Sequence, residues 1–257
     1  MSPEREVSKR QARREQLQKR SQRQRLITIG IIIIGALLIV VPIAYQMLKP
    51  AVAVQTVDVG NHPNAKDNSM GDPNAPIKIE EFSDFQCPYC EQFHTQTEPL
   101  LIQYYVDTGK VQLTYRSMGN WVSGNIGGAN TESQDAALAA YCAGDQNKFW
   151  EMHDYLFGNV IGENVGSFTA KRLTLIAEKV NGLDINQFQS CFDSGKYTDR
   201  VQKDFNDGQA AGITGTPGFV MSYVVNGQTK TERIDGAESI TTFQQKIEAA
   251  LNEMGVK

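Results

Sequence analysis

Ligand-type side chains are few in this chain: four cysteines and three histidines in 257 residues. No second C-x-x-C accompanies the one at Cys87–Cys90, and Cys142 and Cys191 stand single and far apart. A zinc module needs such groups at ligand spacing, so no metal is expected. The glycine-rich stretch Ser123-Gly124-Asn125-Ile126-Gly127-Gly128 has no Lys-Ser/Thr after it and no strand running straight into a helix. It therefore reads as a loop rather than a phosphate cradle, and no cofactor is expected. Basic charge is short everywhere but at the N-terminus. Residues 1–25 hold nine Lys/Arg and three Glu, which leaves sixteen basic against twenty-six acidic residues in the remainder. A body with a net charge of −10 argues against nucleic acid as a partner.

What is present begins with a membrane signal. Residues 1–25 read as a basic cytoplasmic tail, followed by an apolar run of 23 residues, Leu26–Leu48. That length spans a hydrocarbon core of about 30 Å. Lys/Arg before the run and only Lys49 just after it put the N-terminus in the cytoplasm and the rest outside, in the cell membrane as a single-pass protein. Ala51-Val52-Ala53 has the small-x-small form of a leader cleavage site. The run nevertheless exceeds the roughly 7–15 apolar residues of a leader core, and the reading is an uncleaved signal-anchor. Residues 49–71 show little periodicity and much Asn, Gly and Pro, which predicts a linker, with Val52–Val59 a candidate edge strand and His62 a solvated residue. Residues 72–257 then form the domain outside, in a compartment where disulfides persist.

Within that domain the chemistry gathers at Phe85-Gln86-Cys87-Pro88-Tyr89-Cys90. Ile77–Phe82 reads as a strand, and Phe93, Thr97, Leu100, Leu101, Tyr104 and Tyr105 recur at helical spacing after the motif, with a kink predicted at Pro99. Cys87 thus opens a helix, and Pro88 suits its first position. Unpaired N–H groups and the positive end of the helix dipole favour a thiolate there. In such motifs the thiol pKa falls from about 8.5 to roughly 3.5–7.5. Cys90, one turn on, lies on the same face and can resolve a mixed disulfide held on Cys87. A structural disulfide or a zinc pair would use the same atoms; redox chemistry fits the strand-to-helix placement better. Strand alternation puts Glu81 on one face with Ile77 and Ile79, which makes it either a proton relay for Cys90 or an edge carboxylate reaching solvent.

Val111–Tyr115 reads as a second strand, parallel to the first across a right-handed crossover. A helical region follows over about 125–212. Cys142 and Cys191 lie on or near apolar faces there and read as one structural disulfide between helices, with buried free thiols as the alternative. Phe219–Val225, Asn226-Gly227 and Thr229–Ile234 form a hairpin, and Ile240, Phe243, Ile247, Leu251 and Met254 line a closing helix.

This order, with Glu81–Cys90, Gln146-Asn147-Lys148-Phe149-Trp150 and Gly215-Thr216-Pro217, resembles the DsbA-like thiol:disulfide oxidoreductases. The resemblance covers about Asp72–Gly255. It implies an α/β thioredoxin fold with a helical insertion, here preceded by a single transmembrane helix. It also implies that Cys87 is the nucleophile, Cys90 the resolving cysteine and Glu81 the buried acid. Pro217 would be the cis-proline beside them, and Pro88, Tyr89, Thr216 and Pro217 would face substrate. A second disulfide in the insert of some relatives supports the Cys142–Cys191 pairing. The activity implied is donation of the Cys87–Cys90 disulfide to secreted or envelope proteins, with reoxidation by a quinone-linked membrane partner of the DsbB or VKOR type. The alternatives are a reductase or isomerase of the same fold and a metal-binding thiol module. Two departures bear on the redox potential: Tyr89 stands where enterobacterial relatives carry histidine, and Gly218 where relatives often carry a bulkier residue.

Overall fold

The structure is a computed structural model that describes residues 23–42, 44, 52–126 and 130–256. Most of the basic tail, the end of the apolar run and Gly127-Gly128 lie outside the described residues. The chain divides into two compact units, Met1–Ala51 and Val52–Lys257. In the first, helix α1 (Arg23–Pro42) has 20 residues and a mean hydropathy of 2.5. At 1.5 Å per residue it is about 30 Å long, and its length and composition are enough to cross a bilayer.

The second unit is built on five strands: β1 (Ser69–Met70), β2 (Ile77–Ser83), β3 (Val111–Ser117), β4 (Gly218–Val225) and β5 (Gln228–Asp235), in the order β1-β3-β2-β4-β5. Strands β2 and β3 are parallel, while β4 runs antiparallel to β2 and β5 to β4. The β4–β5 turn is Asn226-Gly227, with φ of 51° and 78°, the left-handed pair that a two-residue hairpin needs. On β2, Ile77, Ile79 and Glu81 alternate into the core as expected. Phe82 is buried too, because helix α9 (Thr198–Ala210), Met118 and Ile213 cover the other face. Phe93 of helix α2 (Pro88–Gln96), Phe219 of β4 and Phe243 of helix α10 (Ile240–Met254) close the first face, with ring centroids 4.6–5.6 Å apart.

The helix after the motif breaks where proline demands it. Helix α2 ends at Gln96, and helix α3 (Glu98–Leu101) restarts with Pro99 in its first turn. A π turn over Ile102–Val106 then adds a residue to the winding, so Ile102, Tyr105 and Val106 face the core and Tyr104 faces out. The even three-and-four spacing had predicted Tyr104 on the buried stripe; the π turn overrides it.

The helical insert comprises α4 (Trp121–Ile126), α5 (Glu132–Gly144), α6 (Phe149–Phe157), α7 (Ala170–Ala177), α8 (Ile185–Asp193) and α9. Five alanines of α5 are at most 1% exposed, and their small side chains let neighbouring helices approach closely. Cys142 of α5 and Cys191 of α8 are joined by a disulfide, with their Cα atoms 5.7 Å apart.

The expected linker 49–71 is, from Val52 onward, fastened to this insert. The Gln55 N–H donates to Asn159 Oδ1 at 2.7 Å, and Asn159 Nδ2 returns a bond to the Gln55 carbonyl at 3.1 Å. Arg172 Nε reaches the Val52 carbonyl at 3.3 Å, and the Gly60 N–H donates to Asp154 Oδ2 at 2.8 Å. Val57 seats over Gly158, where a β-carbon would come within 2.3 Å of it. Val52–Val59 forms no strand, and the short edge strand is Ser69–Met70. His62 is not a solvated residue: its Nε2 lies 3.2 Å from Asp154 Oδ2 and its side chain is 11% exposed. Buried polar groups of the insert need partners, and this strap supplies them.

Removing the Cys142–Cys191 bridge frees a 49-residue separation in the unfolded chain. Cys142→Ser with Cys191→Ser should lower stability by about 4 kcal/mol on the loop-entropy scale. Urea unfolding of the oxidised double variant against the parent checks this, and an unchanged midpoint would contradict it.

Candidate active site

The loop leaving β2 is locked before the cysteines arrive. Asp84 is buried and accepts N–H bonds from Gln86 at 2.8 Å and Val122 at 2.9 Å, while its carbonyl accepts from the Cys87 N–H at 3.0 Å. Burial pushes the Asp84 carboxyl up to about 6 even so. The Gln86 side chain donates to Ser123 and Ser133 at 2.8 Å each and accepts from the Asn164 N–H at 2.7 Å. Phe85 stacks on Tyr115, with centroids 4.9 Å apart. The sheet and the insert therefore both hold the approach to the motif.

Cys87 caps α2 in extended conformation, Pro88 takes the first turn, and the Cys87 carbonyl accepts from the Glu91 N–H at 3.0 Å. The Cys87 thiol donates to the Thr216 carbonyl at 3.3 Å. Thr216-Pro217 is a cis peptide. Cys87 is 6% exposed, Cys90 is fully buried, and both are free thiols. Beside them Tyr89 is 65% exposed. The motif and the Thr216-Pro217 corner, 129 residues apart between Cys87 and Thr216, thus meet in one place.

The two sulfurs differ sharply in acidity. A hydrogen bond from Cys90, supported by Thr216 and the backbone N–H groups of Cys90 and Tyr89, lowers the Cys87 thiol from 9.0 to about 7 against the cost of burial. Burial, and then the bond to Cys87, pushes Cys90 well above the ordinary thiol range. One sulfur is ready to carry charge near neutral pH and its neighbour to keep a proton. Such a pair can hold or release a disulfide as a unit.

Glu81 is 1% exposed and pairs in register with Tyr115 on β3 and Phe219 on β4. Of the two readings left open for it, a solvent-reaching edge carboxylate does not fit this burial. Desolvation, then the charge of Glu98, pushes its carboxyl up to about 8, with His94 opposing; its Oε2 has no hydrogen-bond partner. Tyr115, not singled out from the sequence, sits at the centre of this group. Its buried hydroxyl has no partner and is pushed upward by burial and by the charges around it, Glu81, Asp84 and Cys90 among them. The period-two position of Tyr115 on β3, opposite Glu81, was the available signal. Gly218 has a steric reason: a β-carbon there would meet Ile213 at 2.8 Å. Cys142 and Cys191 lie apart, in the insert.

The raised Glu81 carboxyl has a linked effect on stability. In the unfolded chain it ionises near 4.5, in the folded one near 8, so between these values only the unfolded state releases the proton. Folding stability should therefore fall as pH rises across that window, by up to about 1.4 kcal/mol per pH unit. Glu81→Gln should remove this fall and stabilise the protein more at pH 8 than at pH 5. Chemical denaturation of both proteins at the two pH values provides the check; parallel pH dependences would refute the assignment.

A thioredoxin family model matches residues 64–249. The probable disulfide bond formation protein D of Bacillus cereus is 29% identical over 215 residues, covering 82% of this chain and 93% of that protein. A putative protein-disulfide oxidoreductase of Rickettsia conorii is 25% identical over 218 residues, covering 84% and 73%. Among solved structures, oxidised BdbD from Bacillus subtilis superposes with a TM-score of 0.60 at 20% identity, covering 77% of this chain and all of that one. The sheet order, the buried dithiol at a helix start and these likenesses agree: the chain belongs to the thioredoxin family and is similar there to disulfide bond formation proteins and putative protein-disulfide oxidoreductases.

Proposed function

We propose that this protein is a membrane-anchored oxidant that works outside the cytoplasm and donates the Cys87–Cys90 disulfide to reduced secreted or envelope proteins. The observation that carries this is a free thiol at the rim, 3.3 Å from the Thr216 carbonyl, with a fully buried second thiol one turn on. Helix α1, preceded by the basic tail, supports the anchored and outward-facing topology.

The described form is the dithiol, the product of donation. Starting from the disulfide, a substrate thiolate attacks Cys87 Sγ, and the Cys87–Cys90 bond breaks as a substrate–Cys87 bond forms. Cys90 leaves as a thiolate too basic to persist in its dry site, and Glu81, still protonated near neutral pH, is suited to supply the proton. A second substrate thiolate then attacks the substrate sulfur of the mixed disulfide and expels Cys87, whose thiolate is the stabilised one. Two electrons pass from the substrate thiols to the enzyme, leaving the substrate cross-linked. Exposed Tyr89, with Pro88, Thr216 and Pro217, offers the surface that an extended substrate segment would meet. Return to the disulfide needs an acceptor of two electrons, for which a quinone-linked membrane protein of the DsbB or VKOR type is the proposed partner.

One observation favours a second reading, a reductase or isomerase. A Cys87 pKa of about 7 stabilises the reduced form less than a strongly acidic thiol would, and Tyr89 brings no imidazolium to the motif. The equilibrium with glutathione separates the two. An oxidant should have a potential nearer about −120 mV, whereas a value at or below about −270 mV would make the protein a reductant. Cys90→Ser should accumulate mixed disulfides on Cys87, and Cys87→Ser should form none and lose all donation to a reduced protein. Donation surviving in Cys87→Ser would overturn the proposal.

A further inference from the structure

Behind the active-site helix lies a second set of polar side chains that takes no direct part in thiol exchange. His94 of α2, Glu98 of α3 and His153 of α6 each present one ligating atom, and the three atoms lie within 4.8 Å of one another. Glu98 is 3% exposed and His153 1%. Two of their atoms, Glu98 Oε1 and His153 Nε2, are buried with no hydrogen-bond partner. Leaving a carboxylate oxygen and an imidazole nitrogen unpaired in a dry core is costly.

The surroundings of His153 are those of a ligand. Its Nδ1 lies 3.2 Å from Asp154 Oδ1, and Asp154 is itself held by His62 at 3.2 Å and by the Gly60 N–H at 2.8 Å. A carboxylate on one ring nitrogen that leaves the other facing inward is the support metal-bound histidines usually have. A cavity of about 280 Å³ reaches two of the three, His94 and Glu98, and is lined also by His62 and Asp154.

We propose that His94, Glu98 and His153 form a binding site for one Zn2+ ion, with water at the fourth position. Two imidazoles and a carboxylate suit zinc, whereas calcium and magnesium favour oxygen ligands alone. Zinc–ligand distances of about 2.0–2.2 Å require the donor atoms to draw somewhat closer than 4.8 Å. His94, with 19% of its side chain exposed, has room to move. Its Nδ1 is engaged by Glu98 Oε2 at 2.6 Å, a contact the ion would replace. The bound ion would pin α6 of the insert to the active-site helix, four residues beyond Cys90.

The test uses the full chain, stripped with EDTA and then oxidised so that all four cysteines are in disulfides and no thiol can take metal. Zinc chloride is added, excess is removed by gel filtration, and affinity is read by competition with a chromogenic chelator. One zinc per chain is expected, with affinity weakened at least tenfold in His94→Gln and Glu98→Gln and by tenfold or more in Asp154→Asn. An oxidised protein that retains no zinc overturns the proposal, as does zinc held undiminished by both ligand variants. Should those variants fail to fold, the unaltered oxidised protein loaded with Co2+ decides: intense visible bands of a four-coordinate ion support the site, and the weak spectrum of octahedral cobalt refutes it.

Discussion

Everything at the dithiol depends on where β2 stops. Its parallel pairing with β3 and its antiparallel pairing with β4 place it centrally, and its last three residues, Glu81–Ser83, are buried on both faces. The helix that leaves its C-terminal end must therefore start at the rim of the core and turn inward. The first cysteine then stands at the rim and the second, one turn on, is swallowed. That single step of depth creates the difference between the sulfurs, because a thiolate in a dry site loses its hydration and one at a helix start keeps donors. The Thr216 corner approaches the same rim because β4 begins immediately after it, against the same strand.

Carboxyl groups are an uncommon way to fill a core, and this one holds Glu81, Asp84 and Glu98. They are not treated alike. Asp84 is given two backbone donors and serves to shape a loop. Glu81 and Glu98 each keep an oxygen without a partner. On the other face of the sheet, by contrast, Arg116 reaches buried Asp204 and the half-buried Glu80 and Asp207 together, tying β3 to β2 and α9. On that face charges are paired, whereas beside the sulfurs burial leaves Glu81 holding its proton up to about 8.

Much of this could be read from local pattern. The alternation of Ile77–Phe82, proline after the first cysteine, the Asn226-Gly227 turn and the stripe of α10 each act over a few residues, and each reappears in the fold. What could not be read depends on partners distant in sequence. The strap from Val52 to His62 has no periodicity because its contacts are backbone bonds to Asn159, Asp154 and Arg172, about a hundred residues away. The π turn has no signature beyond the register it shifts. His94, Glu98 and His153 look unrelated until α6 folds across α2 and α3. Tyr115 looked like an ordinary strand residue, although its place opposite Glu81 followed from pairing the two strands.

The bridge between α5 and α8 carries an implication for how the molecule is made. Its sulfurs belong to residues 1% and 8% exposed, so the finished bridge lies inside the packed helices it joins. Joining them is easiest while the chain is still open, before α5 and α8 pack against each other. A chain proposed to hand on cross-links thus carries one of its own, whose two electrons left for another molecule, be it a second copy of the same chain.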